Sequence, residues 1–174
     1  MRQDKQRSAP TAQTESALMA DVDQRSAARL AAVQALYQME VSEKGLKETC
    51  TEFESFWIGN EIEGAQYKDA EIAFFRDILT GVVSAQGPID RLIDKTLAVG
   101  WPLARIDSVM RAILRAGAYE LKHRTDIPAR VSIKEYVDVA GAFFGPEEAG
   151  MINAVLDGLA RHLRAAEFEP RSTP

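Results

Sequence analysis

The sequence predicts an all-α protein, about seven helices arranged in two helical subdomains, and three observations carry that reading. Apolar side chains recur at intervals of three and four in one window after another, as they do on a helix that buries a single face. No stretch alternates β-branched and polar residues between turn signals, the pattern of a half-buried strand. Gly87-Pro88, Gly100-Trp101-Pro102 and Gly145-Pro146 fall between the periodic windows, where short connections belong.

Residues 1–22 hold Ser, Thr, Gln, Pro and scattered charges, too little apolar surface to offset the entropy of ordering, so a flexible polar tail is expected there. The first helix runs from Arg25 to Met39, with Ala32, Val33 and Leu36 as its apolar stripe. Leu46, Cys50, Phe53 and Trp57 trace a second helix, closed by Ile58, Gly59 and Asn60. The acidic segment from Glu61 to Lys68 reads as irregular, and Ile72, Phe75, Leu79 and Val82 mark a third helix after it. Pro88 suits the first position of a fourth, whose buried side is Ile89, Leu92, Ile93 and Leu97.

Beyond Gly100-Trp101-Pro102 the run to Lys122 is the most apolar candidate, with Ile106, Val109, Ile113 and Leu114 in its core. Ala112, Ala116, Gly117 and Ala118 give it slim faces that let neighbouring helices come close, which places it at the centre of the packing. Ser132 and Glu135 have the spacing of a capping box opening a sixth helix that runs toward Phe144. Ile152, Val155, Leu156, Leu159 and Leu163 trace a seventh, and residues 165–174 read as a frayed tail. The helical domain is thus expected over 23–164, divided into an N-terminal group at about 23–98 and a C-terminal group at about 102–164.

A net charge of −5 argues against non-specific coating of nucleic acid, because such affinity comes from neutralised phosphates, yet it leaves room for a local basic patch. No apolar run approaches the length of a membrane span, and the first fourteen residues lack a signal-peptide core, so no membrane association and a cytoplasmic location are expected. The single cysteine, Cys50, fits a reducing compartment and reads as a packed structural thiol.

The sequence carries no recognisable catalytic motif. Phosphate-loop, dinucleotide and nucleophile-elbow motifs do not occur, and His123 and His162 stand at helix ends without a second metal ligand at helical spacing. The acids Glu52, Glu54, Glu61 and Glu63 read as a solvated face, and Asn153 with Asp157, one turn apart, as scaffolding. No catalytic residue, metal site or cofactor is expected, and the chain reads as a binding protein.

The first helix begins basic and ends apolar. Arg25 and Arg29 are four residues apart and project from one side of it, where guanidinium forks could meet phosphate oxygens or base edges. By composition alone that feature is also what an ordinary solvated helix start looks like.

Five stretches resemble the NusB family of bacterial transcription antitermination factors: Ala-Ala-Val-Gln-Ala-Leu-Tyr-Gln at 31–38, Phe-Phe-Arg-Asp-Ile-Leu-Thr-Gly-Val at 74–82, Arg-Ala-Ile-Leu-Arg-Ala-Gly-Ala-Tyr-Glu-Leu at 111–121, Ile-Pro-Ala-Arg-Val-Ser-Ile-Lys-Glu at 127–135 and Ile-Asn-Ala-Val-Leu-Asp at 152–157. They follow the family's order. The resemblance implies a two-part helical protein that pairs with the small-subunit ribosomal protein NusE on boxA RNA. The pair joins the RNA polymerase antitermination complex and supports transcription of ribosomal RNA operons. An adaptor that captures protein partners with little or no RNA binding is the alternative. Such domains also open certain RNA methyltransferases, but with the sequence ending at Pro174 a methyltransferase domain is not expected.

Carried onto this sequence, the resemblance assigns Arg25, Arg29, Tyr37, Trp101, Met151 and Asn153 to RNA, and Tyr37, Met110 and Glu147 to the partner surface. Ser26 and Ala27 replace further basic residues of the family's arginine-rich start, and Met151 replaces the ring of Phe-Val-Asn-Gly, so the chain is expected to hold RNA weakly alone. A monomer or weak homodimer is expected.

Overall fold

The computed structural model describes the backbone of residues 12–59 and 65–170, and the side chains of 24–56 and 71–170. Among the described residues there are seven α-helices, two short 3-10 turns and no strand. The helices are α1 (Ala12–Ser42), α2 (Leu46–Gly59), α3 (Ala65–Ser84), α4 (Gln86–Thr96), α5 (Ser108–His123), α6 (Ala129–Phe143) and α7 (Pro146–Leu163). The number and order agree with the periodicity. Arg2, Lys5 and Arg7 of the expected tail, and Glu61 and Glu63, lie outside the described residues.

α1 packs most extensively on α3, and α2 leans against both, with the Phe53 ring stacked on Phe75 at 5.6 Å. α5 touches α1, α3, α4, α6 and α7, the central position expected for a helix with slim faces. Gly117 explains part of this: a methyl group there would lie 2.9 Å from Leu156 of α7 and 3.3 Å from the Tyr136 ring of α6. Gly81 on α3 does the same for α5, since an added Cβ would fall 2.1 Å from the Tyr119 ring. Asp77, one turn before Gly81, accepts the Tyr119 hydroxyl at 2.8 Å. A glycine and an acid on α3 thus form the seat of one tyrosine on α5.

The two groups of helices share one continuous apolar core, and a line of ion pairs also ties them. Glu40, near the end of α1, accepts from Arg111 and from Arg115 of α5, and Arg115 donates to Asp90 of α4 at 2.8 Å. The Arg111 guanidinium holds the Glu40 carboxyl below the usual carboxylate range. The same guanidinium donates to the carbonyls of Leu103 and Ile106, fastening the turn that leads into α5.

Several boundaries differ from expectation. α1 begins at Ala12, so residues 12–22, read as tail, are helical. α3 begins at Ala65, inside the segment read as irregular. The run after Gly100, which takes a left-handed φ of 88°, first makes a 3-10 turn at Leu103–Arg105; α5 starts only where the Asp107 side chain accepts the N–H groups of Val109 and Met110.

The capping box is a misreading: α6 starts at Ala129 after Pro128, and Ser132 lies inside it, fully buried. The Ala129 N–H is satisfied from a distant residue, Glu167, at 2.8 Å. Nor is the end of the chain frayed as far as Phe168. Arg164 is buried and donates to the Ile127 carbonyl at 2.6 Å, and a 3-10 turn at Ala165–Glu167 follows it. The expected stop of α7 near Arg164 agrees, and Cys50 is half-buried, its thiol pushed up chiefly by burial.

Candidate nucleic-acid interface

The basic start of α1 divides into an interior and a surface. Arg29 is 2% exposed, and its Nη2 and Nε donate to the Glu120 carboxylate of α5 at 2.6 and 3.0 Å. Glu120 is fully buried and takes two more donors from α6, the Ser132 hydroxyl and the Tyr136 hydroxyl, both at 2.8 Å. Glu135 lies 3.6 Å from Arg29 Nη1 and accepts from Ser26 at 2.6 Å. Burial would lower the Arg29 pKa, but the bonds and charge of Glu120 outweigh it and leave it raised. Burial beside Glu120 likewise pushes the Tyr136 phenol up. Three helices meet on this carboxylate.

Arg29 is therefore removed from the expected RNA contacts: its guanidinium is spent inside the protein and has no face for a phosphate. Met110, expected on the partner surface, is also corrected, since it is buried in the first turn of α5. Nothing in the spacing of four residues separates Arg29 from Arg25. The missed signal was Glu120, an acid within the apolar stripe of α5 that demanded a buried cation.

Arg25, one turn earlier, is half-buried and makes no ion pair among the described residues. Its guanidinium stands 5.4 Å from the centre of the Phe74 ring, which Arg29 and Arg124 also approach at 5.0 Å each. Arg124 is anchored by Asp126 at 2.9 Å and Asp77 at 2.8 Å. The Arg124 hydrogen bond holds the Asp126 carboxyl down at about 2, while burial and Asp77 push the Tyr119 phenol up to about 12. The outer face of Tyr119 stacks on His123 at 4.8 Å. Sequence reasoning overlooked Phe74, Arg124 and Tyr119 because they come from α3, α5 and the turn after α5 and meet only in the fold.

Trp101 and Met151, distant in sequence, line one apolar cavity of about 420 Å³ together with Leu97, Ile106 and Val155. Trp101 is 64% exposed, so it does not plug the join between helices; Met151 is half-buried beside it. Tyr37 is exposed on α1, as are Asn153 and Glu147 on α7, Glu147 in the first turn where its charge suits the helix dipole. Asn153 opens into a different groove from Trp101 and Met151. No group of three or more His, Cys, Asp or Glu side chains among the described residues could hold a metal ion.

This arrangement, seven helices with a basic start sealed onto a central helix, can be compared with known proteins. The NusB family model matches residues 26–161.

The chain belongs to the NusB family.

A transcription antitermination protein NusB of Rhodopseudomonas palustris (strain TIE-1) is 66% identical over 146 residues, covering 84% of both chains. Its counterpart from Nitrobacter hamburgensis is 60% identical over 146 residues, 84% of this chain and 91% of its own. Among solved structures, NusB of T. maritima superposes with a TM-score of 0.68 at 29% identity, covering 84% of this chain and 97% of its own. The all-α fold and the antitermination family expected from the sequence are thus shown. The matched range includes both Arg29 and Glu120 and leaves Arg25 just outside. Among the described residues no helix of this NusB family member is long and apolar enough to cross a membrane.

Proposed function

We propose that the chain is an RNA-binding antitermination factor that pairs with NusE on boxA RNA and, in the RNA polymerase antitermination complex, supports transcription of ribosomal RNA operons. The observation that carries this reading is Arg25, a guanidinium with no ion pair among the described residues, held against the Phe74 ring at the start of α1 and within the field of Asp126. It has no direct carboxylate partner to give up on meeting a phosphate. Tyr37 on the same helix, and Trp101 with Met151 in their apolar cavity, supply surfaces on which unstacked bases lie. Asn153 adds an amide for base edges, and Tyr37 and Glu147 remain for NusE. With one free arginine where two were expected and a net charge of −5, affinity for RNA alone is low, and NusE supplies the remainder.

The test is a titration of labelled boxA RNA with the chain, with and without NusE. Tighter binding in the presence of NusE is the expected result; no binding in either arm refutes the reading. The second reading, an adaptor that binds proteins and not RNA, is favoured by the apolar character of the Trp101 cavity. Capture of NusE with no effect of RNA would establish it.

A further inference from the structure

The outer surface of α6 and α7 carries a second cationic groove, distinct from the start of α1. α6 contributes Arg130 and Lys134, one turn or about 6 Å apart, and α7 contributes Asn153, Asp157 and Arg161 at the same interval. The two rows face each other across a groove of about 340 Å³. Phe168, brought back by the turn after α7, closes one end, its ring 4.8 Å from the Arg161 guanidinium and 5.7 Å from that of Arg130. The ring holds two flexible side chains in place without neutralising either.

The lining sets three cations against one carboxylate, on a chain whose net charge is −5. Arg130 makes no ion pair among the described residues. Lys134 pairs with Asp138 at 2.6 Å and Arg161 with Asp157 at 2.8 Å, both within one helix turn and exposed to water. Such pairs hold weakly and exchange readily for a phosphate. Asn153, at the head of the α7 row, offers both a donor and an acceptor, which phosphate binding does not need and a base edge does. Cations in two rows, an amide and an aromatic ring at one end together suit single-stranded nucleic acid better than an acidic peptide.

We propose that this groove binds the sugar-phosphate backbone of the RNA as a second contact, with Arg130, Lys134 and Arg161 on phosphates and Asn153 on a base. The proposal rests on the RNA-binding reading above. It makes the RNA footprint longer than the first-helix site alone requires.

The test uses the full chain with NusE and a labelled boxA RNA extended by flanking nucleotides on both sides, titrated over a range of salt concentrations. The variant R130Q/K134Q/R161Q is expected to bind roughly tenfold or more weakly, with a salt slope shallower by about 2, one increment for each lost phosphate contact on a single strand. N153A is expected to weaken binding without changing the slope. The single variant K134E, at a mostly exposed position, is expected to weaken RNA binding without loss of fold, and unchanged circular dichroism and urea midpoints accompany each measurement. Equal affinity and slope in wild type and triple variant overturn the groove and leave the boxA reading standing. Loss of NusE capture with RNA binding unaltered assigns the groove to protein and also overturns it. A wild-type chain that binds no RNA overturns both.

Discussion

Arg25 and Arg29 lie one turn apart on the same helix and approach the same phenylalanine ring, yet one belongs to the surface and the other to the core. Arg29 meets a carboxylate that receives hydroxyls from a third helix, so every strong polar group in that pocket has a partner. Arg25 meets the ring and feels Asp126 only at a distance, without an ion pair. The difference teaches that an arginine-rich helix start is not one functional unit: the partner across the core decides which guanidinium is structural and which is free to bind.

The strongest way to break this comparison is to remove the buried partner. Glu120→Ala strands Arg29 in an apolar interior and is expected to cost about 3–5 kcal/mol, read as a fall in the urea midpoint. A loss below about 1 kcal/mol would mean that Arg29 escapes to water and is a surface residue after all. A smaller effect is expected at the seat of Tyr119. Gly81→Ala places a methyl against that ring and should destabilise by about 1–3 kcal/mol through separation of α3 and α5, seen in the same unfolding assay.

On the surface side, Arg25→Ala should change stability by about 1 kcal/mol, the worth of a half-exposed contact with a ring. Its effect should appear in RNA binding, with a salt slope about 0.7 shallower for one lost phosphate. An Arg25 variant that lowers the urea midpoint as much as Glu120→Ala does, yet binds RNA normally under conditions where it is folded, would invert the comparison. The smallest expected effect is in acid. Asp126 is held at about 2, below its ordinary value near 3.9 in an unfolded chain. Because its folded pKa is depressed, its contribution is complete above about pH 4 and disappears as the pH falls toward 2. Asp126→Asn should flatten stability against pH in that window only slightly, since the carboxyl is half in water.

Much of the fold was legible. The seven helices are long amphipathic windows, and the small residues Ala112, Ala116 and Gly117 announced that α5 would be central. Boundaries were less legible where the deciding group is remote: Ser132 has a capping spacing, but the acid that satisfies the first N–H of α6 is Glu167, 38 residues away. The candidate site was legible in part. Trp101, Met151, Tyr37 and Asn153 do lie at least partly at the surface, whereas Arg29 and Met110 do not, because a helical pattern shows which side a residue is on but not what stands opposite.

By itself the sequence determined the class, the order of the helices, the family and the absence of familiar catalytic motifs, since these follow from periodicity and local motif. Tertiary structure alone decided which arginine is buried, which three guanidinium groups share Phe74, and that Arg130, Lys134 and Arg161 face one another across a groove. The physical reason is common to all three. Charge in a folded chain is priced by its neighbours across the core, and those neighbours come from helices that adjacent residues do not reveal.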